Sequence, residues 1–212
     1  MKGFRKADVL ASAETVERSG DLEPGSPHPP GGSTGGREAG LVARFAGCLE
    51  PSGKKGGSQT GPNPTDRGRA GSKHHVIVER RGIPLAAQVG PANQHDSKVF
   101  ESLIDAIPAV RNGRRGRPRR RPEKLHADKG YDFRRCREAC RQRGVKHRIA
   151  RRGVESKERL GIHRWVVERT FAWLHRFRRL AVRYERRADI HQAFLHLGCI
   201  LICWYAKDWA FC

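Results

Sequence analysis

The chain has 212 residues, enough for one domain of ordinary size with an unfolded arm, and its 43 Lys and Arg against 22 Asp and Glu give a formal charge of +21. Solubility asks for far less charge, so the expected partner is nucleic acid: each cation that neutralises a phosphate releases a counterion, and binding then ignores sequence and weakens steeply with salt. The six cysteines, four of them in i,i+4 pairs (Cys136 with Cys140, Cys199 with Cys203), do not form a secreted disulfide framework and read as reduced thiols in apolar surroundings.

In chain order, residues 1 to about 72 carry no periodic apolar pattern beyond a short helix near Asp8 to Arg18. The stretch from Glu23 to Gly36 is Gly- and Pro-rich and holds almost nothing able to anchor a core. No charged-then-apolar leader opens the chain, so a cytoplasmic, nucleoid-associated protein is expected. From Lys73 the texture changes. His74 to Glu79 and Ile83 to Val89 read as two strands joined by a turn at Arg80-Arg81-Gly82. Asp96 to Ile107 has helical spacing, with Val99, Leu103, Ile104 and Ile107 on one face before Pro108 stops it. Arg111 to Arg121 is too charged and too rich in Gly and Pro to pack, and reads as an exposed basic loop.

Lys124 to Ala127 is a short strand ending on Asp128, and Asp132 caps a helix running to about Arg143, which Gly144 closes. Val145 to Ala150 alternates weakly as a strand, and a polar linker follows to about Arg159. A long helix is expected from roughly Ile162 to Leu180, and a final apolar helix from about Ile190 to Trp209. The apolar run from Ala193 to Ala206 is too short to cross a bilayer and reads as a buried core helix, so no membrane partner is expected. The order strand, strand, helix, strand, helix, strand, helix, helix is an α/β pattern with mixed strand directions.

On the long helix, Arg164, Glu168, His175 and Arg179 fall within an arc of about 60°, with Val166, Trp173, Phe177 and Leu180 opposite. By geometry alone this is an ordinary solvated face with an i,i+4 ion pair between Arg164 and Glu168. The run His163 to Leu180, however, resembles the third-acid motif of DDE-type insertion-sequence transposases of the four/five superfamily. Leu125 to Asp132 looks like their second-acid block, and Gly61 to Gly68 and Gly71 to His75 also match. The likeness covers roughly residues 55 to 205, about seven-tenths of the chain.

That resemblance implies a ribonuclease-H-like mixed sheet with flanking helices, preceded by a disordered N-terminal arm. It also implies metal-dependent phosphoryl transfer on DNA, with Asp128 and Glu168 as catalytic Mg²⁺ or Mn²⁺ ligands, since hard cations want carboxylate oxygens. The substrates would be transposon ends and target DNA, with no small-molecule substrate, and the protein would act as a homo-oligomer on DNA. The implied DNA contacts are Lys73, Arg114, Arg115, Arg117, Lys129, Arg164, His175 and Arg179. His175 stands near where the family usually has a lysine or arginine.

The family's first aspartate ends the first strand, about nine residues before the pair that here is Gly56-Gly57. Counting back reaches Gly47, and Ala46 to Pro51 reads neither as a strand nor as an acid-bearing block. The expectation is a catalytic domain over 56–212, with activity impaired, behind a disordered or out-of-frame segment 1–55. A metal-dependent nuclease of the same fold and an inactive basic DNA-binding remnant are the alternatives.

Among smaller signals, Arg115-Gly116-Arg117-Pro118 resembles a minor-groove arm, although phosphate contact is the simpler reading. His74, His75 and His126 read as core or surface imidazoles, and Trp165, Trp173, Trp204 and Trp209 as core.

Overall fold

The computed structural model describes residues 42–45, 51–53, 55–111, 117–153 and 157–208, all within one compact unit, Ala39–Cys212. Its strands are β1 (Val42–Phe45), β2 (Ser52–Gly53), β3 (Gly61–Pro62), β4 (Ala70–Glu79), β5 (Pro84–Pro91), β6 (Lys124–Ala127), β7 (Lys146–Ile149) and β8 (Val182–Arg183). Its helices are α1 (Phe100–Asp105), α2 (Arg134–Gln142), α3 (Lys157–His175), α4 (Arg178–Ala181) and α5 (Ala188–Asp208).

The main sheet runs β7-β6-β1-β4-β5, with β6 parallel to β1, β7 parallel to β6, and β4 antiparallel to both β1 and β5. This is the ribonuclease-H-like arrangement. Its first strand, of which the sequence gives no sign, is present as β1 at the sheet's centre. Ala43 pairs with Glu79 of β4, and Arg44 pairs with His126 of β6. β2, β3 and the parallel β8 gather around the start of β4, where Ser52 pairs with Gly71 and with Val182.

Strand alternation sorts the core into two layers. Ile77 and Leu125 face α1 and α2, packing with Phe100, Leu103, Tyr131, Cys136 and Cys140. Val76, Val78 and Ala87 face α3 and α5, packing with Val166, Phe171, Leu174, Leu195 and Ile202.

Several elements depart from the sequence reading. The stretch expected as one helix over Asp96–Ile107 is a 3₁₀ turn, Asp96–Lys98, followed by the six-residue α1. His95 caps that turn: its side chain accepts from the Ser97 amide. α3 begins at Lys157, inside the expected linker, and ends at His175, so Phe177, Arg179 and Leu180 are not on it. The break follows from closure by the amides of Arg176 and Phe177 onto the carbonyls of Trp173 and Leu174. The core reading fails for half of α5: Ile190, Leu197, Ile200, Trp204 and Tyr205 are exposed, as is Cys203. Trp165 is likewise exposed. The helix expected near Asp8, residues 112–116 of the basic loop, and Trp209 lie outside the described residues.

The outer edge of β5 is covered by a side chain. Gln192 of α5 accepts from the Val89 amide at 2.7 Å and donates to the Ala87 carbonyl at 2.9 Å, as a neighbouring strand would.

Candidate active site

Asp128 follows the last residue of β6 and caps a 3₁₀ turn, Lys129–Tyr131, by accepting from the Gly130 amide through Oδ1 at 2.8 Å. A Cβ at Gly130 would stand 3.0 Å from Asp128 Oδ1, so a side chain there would push the carboxylate aside by a few tenths of an ångström. Buried Tyr131 packs on Phe100 and anchors the turn in the core. Asp128 is half-buried, at the end of the sheet where β1 and β6, running parallel, both finish.

Cations surround this turn. Arg137 bonds the Asp132 carboxylate at 2.5 Å and the Arg152 amide donates to it at 2.9 Å, which together hold Asp132 below the usual carboxylate range. Arg152 also donates to the Lys129 carbonyl at 3.2 Å, and Arg135 and Arg152 both stack on the Phe133 ring. Arg135 and Arg152 do not stand out in sequence because each is one of several neighbouring arginines; the second-acid turn collects them.

Glu168 is exposed on α3, whose buried face of Val166, Val167, Phe171 and Leu174 lies on the sheet and reaches β1. The helix is pinned to the β4–β5 turn. Thr170 Oγ1 donates to the Gly82 carbonyl at 2.7 Å, and Arg169 to the Arg81 carbonyl at 2.5 Å. Gly82 has φ +87°, and a Cβ there would press on Thr170 and Val166, so glycine is required on both counts. Arg169 stacks on both Trp165 and Trp173, its guanidinium carbon 4.6 Å and 4.9 Å from the ring centres.

The acids expected to be catalytic are thus carried by elements that flank β1, a strand end and a helix. Among the described residues, no group of three or more His, Cys, Asp or Glu is disposed to hold a metal ion. Position 47 lies outside the described residues. The segments on either side of 46–50 run along the same strand, Phe45 opposite Ile77 and Ser52 opposite Gly71.

The expected DNA contacts are scattered. Lys73 is only 11% exposed on its side chain and bonds Asp96 at 3.1 Å and the Gln94 carbonyl at 3.2 Å. Arg117 is exposed beyond the Val110–Arg119 bridge that closes the basic loop, and Arg114 and Arg115 lie outside the described residues. Lys129 is half-buried in the Asp128 turn. Arg164 is on α3, and His175, at its end, is exposed, its imidazole lowered by partial burial. Arg179 sits on α4, bonds Glu185 at 2.6 Å and lies over the Tyr184 and Phe194 rings.

Arg183 has no counterpart in the sequence reading. It is 1% exposed, and all five of its N–H groups are used. They reach the carbonyls of Ser58, Gln59, Glu185 and Arg186 and, at 2.6 Å, Ser72 Oγ. The glycine-rich segment before β3 is therefore fastened to the β8–α5 connection. There Gly57 (φ +116°) lies so close to the Arg186 carbonyl that no side chain fits.

Known proteins resemble this chain strongly. The family of transposase DDE domains matches residues 44–204. A protein of Burkholderia cepacia that carries the name of a transposase for insertion sequence element IS402 is 58% identical over 149 residues, 70% of each chain. A Brucella ovis protein named for the transposase of element IS6501 is 27% identical over 139 residues, 62% of this chain and 96% of that one. A chain in the structure of a simian T-cell lymphotropic virus intasome bound to PP2A regulatory subunit B56 gamma superposes at a TM-score of 0.42. It is 16% identical and covers 82% of this chain and 52% of that one, a likeness too loose to bear on function.

Proposed function

The chain belongs to the family of transposase DDE domains, and from that membership we propose that it is the catalytic part of an insertion-sequence DNA transposase whose cleavage and strand-transfer activity is impaired. The observation that carries this reading is the disposition of Asp128 after β6 and Glu168 on α3, two elements that each contact β1. Such acids supply oxygen donors for Mg²⁺ or Mn²⁺, and a bound pair of these ions activates water and aligns a 3′ hydroxyl.

The donor set is right in kind and short by one. Gly47, where the family carries its first aspartate, offers no ligand. A two-ion centre lacking one of its carboxylates would assemble poorly, leaving Asp128 and Glu168 as the oxygen donors that would hold a divalent ion. The remaining chemistry is electrostatic. Arg135, Arg137, Arg152 and Lys129 gather around the Asp128 turn and suit phosphate contacts there, and the arginines of the basic loop would add further ones. Lys73, already held by Asp96, contributes least to it.

The test is a transposon-end cleavage and strand-transfer assay with Mg²⁺ on the chain and on Gly47→Asp. Background activity in the first and metal-dependent products in the second, abolished by Asp128→Asn or Glu168→Gln, support the reading. Robust cleavage by the unaltered chain overturns the impairment, and joining of a pre-cut end separates a transposase from a nuclease.

The missing ligand also favours a second reading, an inactive DNA-binding remnant. It predicts salt-sensitive binding indifferent to Mg²⁺ and no gain from Gly47→Asp.

A further inference from the structure

The chain has five glutamines, and four of them, Gln59, Gln88, Gln94 and Gln192, line one cavity of about 450 Å³. Its walls come from the end of β5, the start of α1, the loop before β3 and the first turn of α5. In a chain where 43 of 212 residues are Lys or Arg, this lining carries two charges, Lys98 and Asp189, of opposite sign. A phosphate site concentrates cations, so the cavity suits a neutral ligand that hydrogen-bonds, and its volume is that of a small-molecule site.

Two of the four amides are already engaged. Gln192 clamps the edge of β5, and Gln88 Oε1 accepts from Ser102 at 2.8 Å. Gln59 and Gln94 are bonded through backbone groups alone among the described residues, which leaves each side chain as a donor beside an acceptor. Gln88 adds a donor from Nε2. Gly90 keeps the space open. A Cβ there would stand 3.0 Å from Nε2 of His75 and 3.9 Å from Oε1 of Gln94. His75 is fully buried, and neither of its nitrogens is bonded among the described residues. Gly90 is not among the glycines with positive φ, so its backbone conformation does not require glycine; what the missing side chain preserves is room. The Gln59 wall is fixed in advance. Gln59 holds φ +56° with its carbonyl accepting from Ser72 Oγ at 2.7 Å and Arg183 at 2.9 Å, and Ser58 Oγ accepts from the Ala188 amide at 3.1 Å.

Free amides of this kind match the edge of a nucleobase. A glutamine reads adenine by donating to N7 and accepting from the N6 amino group. Donors outnumber acceptors in this lining, and adenine answers with acceptors at N1, N3 and N7 against a single amino group. Val89 and Val99 supply apolar sides for the faces of the ring. The turn Asp96–Lys98, which brings Lys98 to the cavity, packs on the Lys129–Tyr131 turn beside Asp128, and Arg135 donates to Ser97 Oγ between them. We propose that this cavity is a nucleobase site selective for adenine, filled by a base unstacked from DNA or by a free nucleoside. The cavity stands on its own geometry, and DNA as the source of the base rests on the transposase reading.

The test has two arms, both reading binding by the full chain and neither reading cleavage. In the first, adenosine, guanosine, cytidine and thymidine are titrated separately into nuclease-treated protein and followed by ligand NMR. Adenosine should bind at ~0.1 to ~1 mM and ~10-fold tighter than the others. In the second, fluorescence anisotropy compares a fully paired duplex with the same duplex carrying one unpaired adenine or one unpaired thymine. The unpaired adenine should gain ~10-fold over both. Gly90→Val fills the space, and Gln94→Leu, at a half-buried loop position, keeps the space but removes the amide. Each should erase the preference and leave affinity for the paired duplex unchanged, and Gln94→Leu carries the test if Gly90→Val fails to fold. A preference in the duplex arm identifies DNA as the source, and one confined to the first arm a free nucleoside; either supports the site. Nucleosides and duplexes bound without preference overturn it, as does a preference that survives Gln94→Leu. Absence of all duplex binding counts against the transposase reading instead, and the adenosine arm then decides the cavity.

Discussion

His74 of β4 and His191 of α5 meet Nε2 to Nε2 at 2.8 Å, both fully buried. The geometry sets their tautomers. His191 Nδ1 donates to Glu185 Oε2 at 3.1 Å, so its Nε2 accepts and His74 Nε2 must donate. His74 Nδ1 is then an acceptor with no hydrogen-bond partner among the described residues, and buried His75 beside it has neither nitrogen bonded.

The consequence is a fold that weakens in acid. Burial holds all three imidazoles below the usual histidine range, with His191 and neighbouring cations adding to the effect at His74, and His75 brought down to about 4. Below about pH 6.5 the unfolded chain takes up protons that the folded rings refuse, so the unfolded state binds more. The stability is therefore complete above that pH and lost on the way down toward 4, by as much as ~1.4 kcal/mol per ring per pH unit. The Glu185 carboxylate is lowered although burial opposes it, held by its own backbone amide, His191 and Arg179, and it extends the loss to lower pH. Thermal melts between pH 8 and pH 5 should show the fall. His75→Leu should flatten it and be neutral or stabilising by ~1 kcal/mol at pH 7, because it removes two unsatisfied nitrogens. A melting temperature independent of pH over this range would refute the assignment.

Arg183→Lys should destabilise the protein by ~3 kcal/mol, since a lysine offers three donors from one point where five converge from a plane. For a chain of this size the melt should drop by roughly 6–12 °C. Protease cleavage within 55–60 should accelerate before global unfolding, because that loop loses the donors to the Ser58 and Gln59 carbonyls. A melt within 1 °C of the unaltered chain, roughly the scatter of isolated surface changes, would mean the guanidinium is dispensable.

Neutralising Arg114, Arg115 and Arg117 together should weaken DNA binding equally across sequences. The slope of log affinity against log salt should become shallower by up to ~2.7, at ~0.9 per phosphate contact. Folding should be unaffected. A drop confined to A·T-rich duplexes would instead point to groove insertion.

Gly47→Asp should raise Mg²⁺-dependent cleavage by ~10²-fold or more, each tenfold being about 1.4 kcal/mol of barrier. The gain should vanish in the Gly47→Asp, Glu168→Gln double variant. Equal rates with and without Glu168 would remove that residue from the chemistry.

Legibility in sequence followed the physics of each signal. The β4–β5 pair was readable because Val76, Ile77 and Val78 alternate between two cores and Gly82 marks the turn. β1 was not, because four residues in a Gly-rich setting have no pattern of their own and become a strand through β4 and β6. The start of α3 was hidden by the polar Lys157-Glu158-Arg159, and its end by a continuing apolar rhythm that the chain keeps while turning into α4. At the candidate site, the positions of Asp128 and Glu168 on a strand end and a helix were legible. The cationic wall of Arg135, Arg137 and Arg152 was not, because it exists only once the Asp128 turn has formed. Arg183 could not have been found: a buried arginine looks like any other in so basic a chain, and its five acceptors come from three separate stretches.

The Gln192 clamp on β5 gives the order of synthesis a cost. β5 leaves the ribosome about a hundred residues before Gln192 does, and during that interval its outer amides and carbonyls are an open template for any other extended chain. A polypeptide terminated ahead of α5 keeps that template for good, along with an uncovered Val76–Val78 face. Truncated products of this gene should therefore surface in the insoluble or degraded fraction of the cell, and only completed chains should persist long enough to meet DNA.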